Sequence, residues 1–195
     1  MTKAERTRQF IIEKAAPIFN KKGIAGTAIS DIMEATKLAK GGVYGNFESK
    51  DEICLEAFNY LTTSLGNAIN QSMDGKASAK EKLFALLDFY AERLTKSNNG
   101  GCPILNFGAE ADDTNPVMKQ RVKEAISASQ KRITNVVKQG LEDGEFKESF
   151  NAETFGIKMF TMIEGAILIS RVQSSNSHMK LITDMLKAEI EENCI

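Results

Sequence analysis

Apolar side chains recur at intervals of three and four along almost the whole chain, and this spacing confines it to amphipathic helices. Strand-like alternation is hard to find, and only three prolines and 14 glycines interrupt 195 residues. Stop signals lie at Gly23, Gly75, Gly100, Gly101 and Gly144, where a residue able to adopt positive φ closes a helix. Start signals answer them. Thr2 with Glu5, Ser49 with Glu52 and Ser78 with Glu81 have capping-box spacing, Asn115 precedes a proline at a first helical position, and Asn151 and Ser177 are further candidate caps. The marks predict nine helices, at about 3–22, 28–36, 40–46, 50–72, 78–97, 102–112, 116–142, 152–174 and 178–193. Pro17 removes a hydrogen bond inside the first and clashes with the carbonyl of Glu13, so a kink or local break is expected there.

At about 150 residues per domain the length corresponds to one or two domains, enough to bury a core without disulfides. Cys54, Cys102 and Cys194 are odd in number, form no CxxC pair and follow no secretory signal, which points to a reducing cytoplasmic setting. No membrane span is predicted, because the most apolar run, 159–169, is short and contains Thr161 and Glu164. The net charge of −1 conceals an asymmetry: residues 1–50 carry nine Lys and Arg against five acids, and the remainder is acidic. A compact basic head on an acidic body suits phosphate binding by the head.

Within that head, residues 27–47 have the plan of two short helices joined by a turn, the second presented to a DNA major groove. Thr27 is placed to cap the first of these helices and to offer its hydroxyl to a phosphate; Ile29 and Ile32 face inward; 37–39 make the turn. The glycines of the next segment, Lys40-Gly41-Gly42-Val43-Tyr44-Gly45-Asn46-Phe47, weaken a helix by about 1 kcal/mol each relative to alanine. They make sense where bare backbone must approach DNA closely. Phe47 reads as core, and Lys21 and Lys22 as a solvated helix end.

Residues 8–58, with R-x-x-I-I-x-x-A-A-x-x-F-x-x-x-G-x-x-x-T-x-I-x-x-I followed by K-G-G-V-Y-G-N-F-x-S-K-D-E-I, resemble the N-terminal DNA-binding domain of the TetR family of bacterial transcriptional regulators. The resemblance implies an all-α chain: a three-helix DNA-binding domain with a helix-turn-helix over 1–48, and an antiparallel helical ligand-binding and dimerisation domain over 49–195. It implies a regulator, in first place a repressor, that binds a palindromic operator in double-stranded DNA as a homodimer and is released by a small-molecule inducer. Thr27, Tyr44 and Lys50 match phosphate contacts, Gly42 and Asn46 match positions facing bases, and Lys37, Lys40 and Gly41 complete the expected DNA face. Two positions depart from the family pattern: Lys37 stands where glycine is usual in the turn, and Ala39 where Ser or Thr usually precedes the recognition helix.

In the body, thioethers and aromatic rings suit an adaptable apolar pocket, for which Leu61, Leu65, Phe84, Leu87, Tyr90, Phe107, Met118, Ile126 and Met159 are the expected lining, with Tyr90 as polar anchor. The inducer is expected to be hydrophobic or electrophilic. The last two helices are apolar over most of their circumference and need a further surface; pairing with a second copy as a four-helix bundle provides it. Phe155, Met162, Ile163, Ala166, Ile167, Leu181, Ile182, Met185 and Leu186 are the expected interface, with Glu164 at its polar edge. Gly100-Gly101-Cys102-Pro103 followed by Glu110 resembles a motif of a subset of TetR-like regulators, and Cys102 is either a redox-reactive thiol at a helix start or a small buried residue. Glu110, Asp112 and Asp113 read as solvated acids, and His178, the single histidine, is too isolated to suggest a metal. No cofactor is expected, and without a phosphate loop or a nucleophile with a plausible His base the chain does not read as an enzyme.

Overall fold

The computed structural model describes residues 1–96 and 100–195, without the side chains of 93–96. Its helices are α1 (Lys3–Gly26), α2 (Ile29–Thr36), α3 (Lys40–Tyr44), α4 (Lys50–Met73), α5 (Ala79–Lys96), α6 (Pro103–Ala111), α7 (Pro116–Glu142), α8 (Ala152–Val172) and α9 (Ser177–Glu192). Among the described residues there is no strand; Phe146 and Cys194 form an isolated antiparallel bridge. The expected end of the fifth helix at 97 lies outside the described residues.

Local signals account for most of these boundaries. Gly23, Gly75, Gly100, Gly101 and Gly144 all have positive φ. Thr2 and Glu5 form a complete capping box, and the side chains of Asn115 and Asn151 accept from the amides of Met118 and Thr154 at 3.0 and 2.8 Å. Ser49 and Ser78 cap the amides of Glu52 and Glu81, both at 3.1 Å, but each glutamate reaches one residue further back than a box requires, to the amides of Glu48 and Ala77. Ser177 lies inside α9 and the cap position is Asn176. The expected break at Pro17 does not occur there. Its fixed φ is compatible with a helix, buried Ala15, Ala16 and Phe19 anchor both sides, and the helix expected over 3–22 runs through to Gly23, the expected stop, where it leaves helical geometry with φ 81° and ψ 172°.

Close packing groups the chain into two compact units that differ from a cut after residue 48. The first comprises 1–65 and 102–122, so α1, α2, α3, most of α4, α6 and the start of α7 share it. Its core holds Ile11, Phe19, Ile32, Val43, Phe47 and Phe58, with Phe58 and Phe107 in ring contact at 5.1 Å. The second comprises 66–101 and 123–195, in which α8 packs on α9 and both pack on α5. There Phe146, Phe150 and Phe155 form a chain of edge-to-face rings at 5.3 and 4.9 Å. Gly140 makes room for this cluster, since a Cβ would lie 2.4 Å from the Phe146 ring. The Glu145 carboxylate accepts from the Ala79 amide at 2.8 and 3.0 Å, capping α5 from across the unit.

Cys54 is buried, and burial pushes its thiol up to about 12; Cys102 is buried as well, whereas Cys194 is half-exposed. Thiolate, not thiol, reacts with alkylating reagents. Mass mapping after a short iodoacetamide pulse at about pH 7.5 is therefore expected to find Cys194 modified first and Cys54 modified only on unfolding. Early labelling of Cys54 in folded protein would contradict this packing.

Candidate nucleic-acid interface

The two short helices turn about Lys37, whose φ of 58° and ψ of 22° are left-handed. The departure from glycine seen in the sequence is thus a real steric cost, about 1–2 kcal/mol for a residue carrying a Cβ, and it places an exposed ammonium group at the turn. Ala39 occupies the N-cap of α3 with no side-chain hydrogen bond. Lys40 and Tyr44 are exposed on α3, with the Lys40 Nζ 5.9 Å from the Tyr44 ring centre. The glycines of α3 have separate reasons. A Cβ on Gly45 would lie 3.0 Å from the Gly41 carbonyl oxygen, and one on Gly42 would meet Leu38 at an ordinary 3.4 Å. A Cβ on Gly41 would meet nothing within 4 Å. Nothing inside the protein asks for glycine there, so close approach by an external molecule is the physical reason available.

Several expected contacts are instead occupied in holding this motif. Thr27 is buried, and its hydroxyl donates to the Gly23 carbonyl at 2.6 Å; it neither caps α2, whose N-cap is Ala28, nor faces solvent. The Lys50 Nζ donates to the carbonyls of Ile24 and Thr27 at 2.9 and 3.0 Å, so two of its three donors serve the α1–α2 corner. The Asn46 amide donates to the Gly42 carbonyl at 2.8 Å, closing α3 rather than extending outward. Lys22 pairs with Asp31 at 2.7 Å instead of being merely solvated. Phe47 is core, as its pattern suggests.

Arg8, the first residue of the family pattern, ties three elements together. From α1 it donates to the Asn46 carbonyl at 2.7 Å and to Glu52 at 2.7 Å, pairs with Glu56 at 3.3 Å, and stacks on Phe47 with 4.1 Å to the ring centre. Backbone donation from Glu48 and this guanidinium together hold the Glu52 carboxyl below its usual range. Its signal was an arginine one helical turn before Ile11 and Ile12, on the side of α1 that faces the core.

The expected pocket lining is divided between the units. Leu61, Leu65, Phe107 and Met118 belong to the first; Phe84, Leu87, Tyr90, Ile126 and Met159 to the second. Leu87, Tyr90, Phe107, Met118 and Met159 are buried, and Leu61, Leu65, Phe84 and Ile126 are half-buried. The Phe84 ring lies within 5.4 Å of the Lys80 ammonium and 5.2 Å of the Lys187 ammonium, and Phe107 meets Phe58. A cavity of about 250 Å³ in the first unit is lined by Asp51, Glu52, Leu55, Asn115, Val117 and Met118, sharing only Met118 with that expectation. Cys102 does stand at the N-cap of α6, but buried.

Of the expected dimer residues, Phe155, Ile163, Ala166, Ile167 and Leu186 are buried within the single chain and Met162 and Ile182 are half-buried, while Leu181 and Met185 are 58% and 52% exposed. Their partners in exposure are Ile157, Leu168, Ile169 and Val172. Helices apolar all round have two candidate faces, and packing against α5 selected the first set for the core. Glu164 is likewise buried rather than at a polar edge.

Two short helices about a left-handed turn, braced by a long first helix, define a helix-turn-helix DNA-binding protein. Residues 11–57 match the family described as bacterial regulatory proteins, tetR family, and residues 79–186 match the Tetracyclin repressor-like C-terminal domain. The chain belongs to the TetR family of transcriptional regulators. A TetR transcriptional regulator from Chloroflexus aurantiacus is 33% identical with a TM-score of 0.93, covering 100% of this chain and 98% of that one. A TetR-family regulator from Cytophaga hutchinsonii is 34% identical with a TM-score of 0.92, over the same shares. The HTH-type transcriptional repressor DhaR of Mycobacterium sp. strain GP1 is 22% identical over 85% of this chain and 83% of its own length.

Two substitutions test these local assignments. Gly41→Ala is expected to stabilise the fold by roughly 0.5–1 kcal/mol while weakening DNA binding; improved stability with unchanged binding would remove the close-approach argument. Lys37→Gly relieves the left-handed strain and is expected to raise stability by about 1 kcal/mol after the extra freedom of glycine in the unfolded chain is counted, measurable as a rise in Tm of about 2–4 °C.

Proposed function

We propose that the protein is a repressor that binds an inverted-repeat operator as a homodimer and leaves it when a small hydrophobic molecule enters the C-terminal part of the chain. The observation that carries the DNA-reading part is Gly41: an exposed backbone with no internal need for glycine, flanked by Lys40 and Tyr44 on the same short helix. Lys37, Lys40 and Tyr44 would contact the DNA, the cations giving phosphate affinity through counterion release; Gly41 and Gly42 admit the backbone. Asn46 can read a base only by exchanging its bond to Gly42, and Lys50 and Thr27 act behind the surface. Residues 1–48 would form the reader and 49–195 the regulatory part, acting in the cytoplasm where the DNA is.

Ile157, Leu168 and Val172 on α8 and Leu181 and Met185 on α9 are exposed on two helices that pack together, and this apolar exposure supports the homodimer. Gly165 lies on the same side of α8 in open space, allowing close helix approach. Two subunits would place recognition helices in half-sites about 34–36 Å apart, and an inducer would act by favouring a state with another spacing. The name of DhaR supports repression, and the burial of Cys102 favours a packed small residue over an exposed sensor thiol.

Selection from random duplex DNA, followed by salt-dependent binding to the winning sequence, tests this reading. An enriched inverted repeat, bound with a steep salt dependence and weakened by Tyr44→Ala, is the expected result. Leu168→Glu combined with Met185→Glu is expected to yield monomers by sedimentation and to abolish half-site pairing. Enrichment of no sequence by the dimer, alone or with cell extract, would defeat it.

A further inference from the structure

We infer that Asn106 and Glu110 are positioning residues for DNA binding, a polar clamp on α6 that sets the attitude of the helix-turn-helix by holding both sides of the break in α1. A helix that breaks leaves carbonyls without partners before the break and amides without partners after it. Here the break is Gly23. On the carbonyl side, the Asn106 amide donates to the Asn20 carbonyl and to its side-chain oxygen, both at 3.0 Å. On the amide side, the Glu110 carboxylate accepts from Ile24 at 2.9 and 3.0 Å and from Ala25 at 3.1 Å. Residues four apart share one helix face, so a single face of α6 grips both ends.

Glu110 is therefore not a solvated acid. It sits against the unsubstituted face of Gly23, where a Cβ would lie 2.1 Å from its Oε1. The corner it holds leads directly into α2: Thr27 bonds back to Gly23, and Lys50 binds the carbonyls of Ile24 and Thr27. Because α2 begins two residues after this corner and α3 follows α2 across the turn at Lys37, a rotation of the corner carries both helices with it. All of these groups lie in the first compact unit.

The inference rests on the proposed DNA-reading function, and its test separates the two. Amide hydrogen exchange of the full-length protein reads the clamp without DNA. Operator binding to the sequence selected by the wild-type protein reads its consequence. Glu110→Gln keeps an acceptor of the same shape; Glu110→Met keeps the volume and removes the acceptor; both remove the same charge. With the clamp, exchange at Ile24 and Ala25 is slow in the wild-type protein and in Glu110→Gln, and about tenfold or more faster in Glu110→Met, the scale of a lost hydrogen bond to a charged group. Operator affinity falls by a comparable factor in Glu110→Met and in Asn106→Leu and far less in Glu110→Gln, at unchanged helical content. Equal affinities for the Gln and Met variants would overturn the positioning role, and fast exchange at Ile24 and Ala25 in the wild-type protein would overturn the clamp without any variant. If the wild-type protein selects no operator, the function reading falls and the clamp stands or falls on exchange alone.

Discussion

The corner at residues 23–27 carries the structure's central constraint: a helix break dense in main-chain polar groups, placed where the reading helices begin. Buried backbone groups must be paired, and this corner is served from outside by Lys50 on α4, by Asn106 and Glu110 on α6, and from within by Thr27. α2 and α3 are too short to persist as isolated helices. Their geometry is inherited from this corner at one end and from Arg8, which ties the end of α3 to α1 and α4, at the other.

The exposed surface of the helix-turn-helix is correspondingly spare. α3 is five residues long, lacks a side-chain cap and contains two glycines, so its own stability is negligible. What it offers is accessible backbone and a few cationic or aromatic groups, while the charges that a simple motif match would send to DNA are divided between the surface and the frame. Lys37 and Lys40 face solvent; Lys50 and Arg8 hold the frame. A basic residue near a DNA interface thus has two physical uses, and burial with hydrogen-bond geometry separates them.

The second unit poses the opposite problem, too much apolar surface rather than too little structure. α8 is apolar over most of its circumference, whereas α9 also carries Lys180, Asp184, Lys187, Glu189, Glu191 and Glu192; both pack on α5, and Ile157, Leu168, Val172, Leu181 and Met185 stay exposed. A helix with one apolar stripe has only one way to pack. A helix with two has its core face chosen by its neighbours, which is why Phe155 and Ile163 of α8 became core while Ile157 and Leu168 did not.

The chain's own order of residues determined the helices, their stops and the class of the motif, because these are local matters. Positive φ favours glycine at the residue itself, caps act within a turn, and the pattern from Arg8 to Phe58 is continuous. Lys37 at a left-handed turn was legible as a departure for the same reason. Tertiary structure alone decided that Lys50 turns back to the carbonyls of Ile24 and Thr27, which face of α8 is core, and that Glu110 caps amides 85 and 86 residues away. Each of these depends on a partner brought close by folding, and a side chain's chemistry states what it can bond to without stating what will be there.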